Sequence, residues 1–301
     1  MDVLIAQNVN VMSNKRFLIG KVVILTASML VTLAACKRND NTASNPPLTN
    51  TDDNGGYASD AAKMETNSND VISIADVAAA GEGSTLRTTG LTSVGGCATM
   101  TNDTTVTPHV LTINFGTTDC TCTDLKNRRG EIIVTYTGSY KDAGSAHTIT
   151  YNSYFVDDNQ ITGSKTVTNM GTNTSGQVYY NVTVNDSMII ASDSVITWVG
   201  SRTRTWLDGY TTATRSDDVY LISNGSAGTG TTILKRANGH TFTLNITTPL
   251  QVAIGCPYIE AGVIDITGST LSAARILDYG TGTCDAEAQL TIGSITYNIT
   301  L

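Results

Sequence analysis

The sequence predicts an all-β protein, a long antiparallel meander forming a sandwich or an open barrel, with one short N-terminal helix. Three observations predict it. From about residue 84 onward the apolar residues recur with period two. Ile132, Val134 and Tyr136 alternate with Ile133, Thr135 and Thr137, and Val178, Tyr180, Val182 and Val184 with Tyr179, Asn181 and Thr183. Phe242, Leu244 and Ile246 do the same within a run of threonines. Such alternation, rich in β-branched and aromatic residues, marks strands that bury one face. Turn-forming clusters (Asp157-Asp158-Asn159, Asn185-Asp186, Asn224-Gly225) punctuate these runs at short intervals. Finally, helical periods do not intervene between the strands, so sequential strands are expected to pair as antiparallel neighbours, roughly a dozen of them.

Each segment follows in chain order. Lys15, Arg16 and Lys21 make a basic cluster ahead of an apolar run over residues 22–35. A bilayer-spanning helix needs about 20 such residues, so this shorter run reads as a signal-peptide core. Leu33-Ala34-Ala35-Cys36 matches a bacterial lipobox. Small residues before the cysteine let a signal peptidase approach the backbone, and Cys36 is expected to be lipidated as the first residue of the processed chain. Asp2 and a polar stretch precede the basic cluster, so translation is expected to start at Met1 or at Met12. The expected partner at this end is the membrane, through the Cys36 anchor. Three acyl chains exceed the two signals that stable anchoring requires.

Residues 36–68 read as a disordered tether, because residues 36–56 hold little aliphatic content beyond Leu48. About twenty such residues span roughly 25 Å as a random coil. Asn50, Asp52, Asn54 and Gly55 have the opening spacing of a calcium loop, but Ala61 stands where a bidentate glutamate is required. Residues 69–83 form a short helix and connector. Val71, Ile74, Ala75 and Ala78 build one apolar face, Asn69 suits the N-cap and Gly81 the stop. The β body then occupies residues 84–301.

Within that body two segments echo each other. Ile113-Asn114-Phe115-Gly116-Thr117-Thr118-Asp119-Cys120 matches Leu277-Asp278-Tyr279-Gly280-Thr281-Gly282-Thr283-Cys284, and each has a cysteine upstream, Cys97 and Cys256. The reading is two related units, about 97–140 and 256–301, each closed by its own disulfide: Cys97–Cys120 and Cys256–Cys284. Bridges of this loop size contribute about 3 kcal/mol each in the chain-entropy model, and they persist in an exported chain. Cys122 is then left over, or takes the place of Cys120 as the partner of Cys97. A zinc site at Cys120-Thr121-Cys122 lacks a second cysteine pair, so no metal and no cofactor are expected. His109, His147 and His240 each open a strand and read as structural.

The lipobox, the polar tether, the GTxxC echoes and the RTRTW segment together resemble a group of Bacteroidota cell-envelope lipoproteins. The resemblance implies an address, the outer membrane on its periplasmic or its outer side, and an architecture, but no catalytic residues. Lys37-Arg38-Asn39-Asp40 partly resembles the lysine-plus-acids signal that follows the cysteine in surface lipoproteins of that group. Asp103-Thr104-Thr105, Asp186-Ser187-Met188 and Asp193-Ser194-Val195 resemble its O-glycosylation acceptor, making Thr104, Ser187 and Ser194 candidate modification sites.

Charge and motifs narrow the function further. The chain carries 18 basic and 26 acidic residues, and removal of residues 1–35 leaves 15 and 25, a net charge of −10. An acidic chain has no electrostatic reason to seek nucleic acid. GxSxG, HExxH and P-loop patterns are absent. Asp157-Asp158 and Asp217-Asp218 offer paired carboxylates for glycoside hydrolysis, but adjacent acids at turns are ordinarily turn formers. Trp198, Arg202, Arg204 and Trp206 share parity on TWVGSRTRTW, forming either a cross-strand ladder or an exposed aromatic and cationic patch for a glycan or anion. The expectation is a lipid-anchored envelope β-protein with a non-catalytic binding or structural role, its partner a glycan or an envelope protein. The alternatives are a surface adhesin or glycan-binding component, and after that a glycan hydrolase.

Overall fold

In a computed structural model, residues 56–80, 97–190, 194–213, 215–225, 232–268 and 270–301 are described. Cys36, the signal segment and Gly81 lie outside them. The chain opens with α1 (Gly56–Ala80), followed by β1 (Thr99–Asp103), β2 (His109–Asn114), β3 (Cys120–Thr121), β4 (Asn127–Tyr136) and β5 (Ala146–Val156). The long strands β6 (Asn159–Thr172), β7 (Val178–Ile189) and β8 (Val195–Asp208) come next, then β9 (Val219–Asn224), β10 (Thr232–Arg236) and β11 (Thr241–Ala253). β12 (Ala261–Gly268), β13 (Arg275–Thr281), β14 (Glu287–Ile292) and β15 (Ile295–Thr300) complete the series.

These strands make one 15-stranded antiparallel sheet rather than two stacked ones. Neighbours in sequence are neighbours in the sheet, with two variations: β2 and the short β3 both pair with β4, and β9 and β10 share a single lane between β8 and β11. The period-two expectation holds residue by residue. Ile132, Val134 and Tyr136 are buried, as are Val178, Tyr180, Val182, Val184, Phe242, Leu244 and Ile246.

What closes the core is the helix. The expected helix began at Asn69, but α1 begins at Gly56 and runs 25 residues, so residues 56–68, expected as tether, are helical. Asn69 is not a cap. It sits mid-helix and its Nδ2 donates to the carbonyl of Glu65 at 3.0 Å. Among the described side chains of α1 only Lys63 is exposed. A helix covered on every side needs a sheet bent round it, and the sheet bends through β-bulges, which raise local twist. One lies at Gly130 (φ 85°), where any Cβ would stand 1.9 Å from the Ser153 carbonyl oxygen. Another is at Gly262 (φ 110°), between β12 and β13.

Candidate functional site

α1 carries four acids, Asp60, Glu65, Asp70 and Asp76. At about 100° per residue they point roughly 0°, 140°, 280° and 160° around the axis, so they form no stripe. Each meets a partner from a different part of the sheet. Asp60 accepts from Arg236 of β10 at 2.5 Å. Glu65 accepts from Arg202 of β8 through Nε at 3.0 Å and also through Nη2. Asp70 accepts from Arg128 of β4 at 2.6 Å. Asp76 accepts from the hydroxyl of Tyr220 on β9 at 2.9 Å, with Arg215 at 3.6 Å. Lys165 of β6 bridges Ser68 at 3.2 Å and Asp186 at 2.9 Å. The lumen of the sheet is therefore cationic, and α1 neutralises it.

This arrangement decides between the two readings of the β8 residues, in favour of the ladder and against the candidate ligand patch. Trp198, Arg202, Arg204 and Trp206 do share one face of β8, but that face is the inner one, and all four are at most 3% exposed. Their partners are internal. Arg202 holds Glu65, while Arg204 lies 3.7 Å over the Tyr220 ring, which itself packs against Trp206. The four are a structural ladder, because the alternation that aligned them also aligned them with the core.

The cysteines pair as the echo predicted. Cys97–Cys120 and Cys256–Cys284 are bonded, and Cys122 is free and buried. The echo itself is a shared turn. Asn114 Oδ1 accepts from the Gly116 amide at 2.7 Å and Asp278 Oδ1 from the Gly280 amide at 2.9 Å. Both glycines sit at φ near 87–88°, where a side chain is strained. Each unit is a hairpin (β1–β2, β12–β13) bracketed by one bridge, with the next long strand paired to its second member. Burial pushes the Cys122 thiol up, against the nearby Arg128. Glu260 lies close to Cys256 and Cys284, but both sulfurs are committed to each other, so this trio is no metal set.

Other predicted residues are placed as follows. His109, His147 and His240 bond the Val106 carbonyl, the Gly138 carbonyl and the Tyr57 hydroxyl. Asp157 and Asp158 form the exposed β5–β6 turn, Asp157 accepting the Asn127 amide and Asp158 pairing with Arg129. Asp218 is buried, and its carboxyl is pushed up to about 6 by that burial despite Arg215 at 3.1 Å. Thr104 and Ser194 are exposed, whereas Ser187 lies mid-strand in β7 beside the buried ion-paired Asp186.

Sequence reasoning missed a cleft. The two arms of the sheet stand apart along one side of α1, leaving a cavity of about 540 Å³. Ala62, Lys63 and Thr66 of α1 floor it. Lys126, Val156 and Asp157 line one wall, and Tyr258, Leu290 and Ile299 the other. Tyr258 follows the bridged Cys256, so the second disulfide holds that wall in place. The only signal in the sequence was an unremarkable lysine in what read as tether. Comparison of the chain with protein-family models, with curated proteins and with solved structures finds no match.

Proposed function

We propose that this chain is an exported, lipid-anchored envelope β-protein with a non-catalytic binding or structural role. The observation that carries this reading is the pair of disulfides, one at each end of the sheet, in a chain whose residues 33–36 read LAAC. Such bridges belong to an oxidising compartment, and a lipobox supplies both the route there and the anchor. The burial of the Trp198–Trp206 ladder supports a structural use of the residues that an adhesin would have displayed. The engagement of Asp157, Asp158 and Asp218 in turns and ion pairs supports a role without acid–base chemistry.

The test is Cys36→Ala in a host that processes lipoproteins, read by membrane fractionation and intact mass. The expected result is a wild-type chain in the membrane fraction with added acyl mass, and a variant lacking both. A variant that stays in the membrane overturns the reading.

A further inference from the structure

The described sheet has two open edges, and they are built differently. β1 has five residues and ends in Asp103, whose carboxylate takes the Thr105 amide and hydroxyl at 2.9 and 2.6 Å. Just ahead of it Cys97 is bonded to Cys120. A short strand ending in a charge is one way in which sheets keep an edge from pairing further. β15 has none of these devices. Residues 288–301 contain no Asp, Glu, Lys, Arg or Pro, in a chain of net charge −8. β14 and β15 pair over six consecutive positions without a bulge. Ile295 and Leu301, both large and apolar, are 39% and 36% exposed. Ile299, Thr300 and Leu301 line the cleft beside α1, so this edge opens on space rather than on another described strand.

The backbone of β15 fixes what can pair with it. The Leu301 amide donates to the Ala286 carbonyl at 2.9 Å. Antiparallel pairing alternates, so Leu301, Ile299, Tyr297 and Ile295 direct their N–H and C=O groups to β14. Thr296, Asn298 and Thr300 turn theirs to the open side. Those three residues are also exposed. A second β15, antiparallel and related by a two-fold axis at Asn298, meets this pattern with its own. Thr296 of one copy then faces Thr300 of the other, and the two Asn298 residues face each other. Each such pair exchanges two backbone bonds, about six in all. On the face shared with the buried Leu290, Tyr297 meets Ile299 and Ile295 meets Leu301. Polar residues therefore meet polar ones, and apolar meet apolar. An axis at Tyr297 instead sets Thr300 against Ser294, which belongs to the β14–β15 turn.

We propose that β15 is a homodimer interface, two copies of this chain pairing edge to edge through Thr296, Asn298 and Thr300. Charge selects the occupant. An acidic chain repels a second copy of itself, and the uncharged β14–β15 hairpin is where that repulsion is least. A two-fold pair also closes, because it covers both β15 edges and leaves neither to propagate. The proposal goes beyond the envelope reading and does not depend on the Cys36 anchor.

The experiment is sedimentation velocity on the full, disulfide-intact chain carrying Cys36→Ala, over a concentration series. A monomer–dimer equilibrium is expected. Asn298→Lys and Asn298→Asp each place two like charges at the axis, and each should raise the dimer dissociation constant by about tenfold or more. Within its own copy Asn298 accepts an exposed 3.3 Å bond from Gln289, so either change should leave the monomer folded, as circular dichroism checks. Mixed in equal amounts, the two variants should regain a dimer, since Lys then faces Asp across the axis. A merely destabilised fold gives no such recovery. Asn298→Pro removes an outward N–H, spares the bonds to β14 and should also yield monomer. A chain that stays monomeric throughout overturns the proposal. So does a dimer unchanged by the Asn298 variants, or a mixture no better than either variant alone. Growth past the dimer overturns it too, since pairing of β15 on β1 of the next copy gives an open chain.

Discussion

Arg202 and Glu65 are 3% and 1% exposed, and each is the other's means of staying charged away from water. Removing one partner strands the other, which costs about 3–5 kcal/mol, whereas replacing both with apolar groups of similar volume is often close to neutral. Arg202→Met and Glu65→Leu should therefore each lower the urea midpoint sharply, and the double variant should recover most of the loss. Simple additivity in the double variant would mean the two do not interact. Asp218 makes a second test, through pH. Burial raises its carboxyl from 3.8 to about 6, so the folded chain keeps a proton that the unfolded chain has released. The stability this adds is present below the unfolded value and is lost as pH rises through the folded one. Asp218→Asn should accordingly gain on the wild type in melting temperature between about pH 4 and about pH 7. Asp70 runs the other way. Burial alone would raise it, but Lys126 and Arg128 outweigh burial and hold it below its usual value. Asp70→Asn should therefore lose most at neutral pH.

At the scale of elements, α1 was half legible. Residues 69–80 carry the aliphatic residues, and their spacing is helical. Residues 56–68 carry Asp60, Lys63, Glu65, Thr66, Asn67 and Ser68, a composition that ordinarily stays solvated. They fold because Arg236, Arg202 and Lys165 meet three of those groups from the sheet. Ala61 is fully buried in that stretch. Ala61→Asp should cost about 3 kcal/mol or more by burying an unpaired carboxylate. Lys63→Gln, two residues away and exposed, should stay within about 0.5 kcal/mol. Thermal melts followed by circular dichroism decide it, and an innocuous Ala61→Asp would return residues 56–68 to a tether.

For the whole molecule, the two bridged units occupy opposite ends of one sheet. Neither end is closed by pairing to the other among the described strands, so each bridge ties down its own edge. Replacing Cys256 and Cys284 together by alanine should cost about 3 kcal/mol. Hydrogen exchange should then rise in β12–β14 and not in β1–β4, while the Cys97/Cys120 replacement does the reverse. Uniform loosening would show that the bridges act on the sheet as one body.

The sequence by itself determined that the body is built of strands, which side chains of a strand share a face, and the Cys256–Cys284 bridge, and it left Cys120 and Cys122 as the two possible partners of Cys97. These are local properties: a period of two reports which side chains share a face, and bridges of 23 and 28 residues close units that each repeat the same turn. Only the tertiary structure decided that the sheet is single and curled, that α1 lies within it, and that Trp198, Arg202, Arg204 and Trp206 face inward. Period cannot tell a face turned to solvent from one turned to a helix. The partners that make inward arginines stable lie far off in the chain, 137 residues in the case of Arg202 and Glu65. A buried charge reads as a surface residue until the fold brings its counter-charge to it.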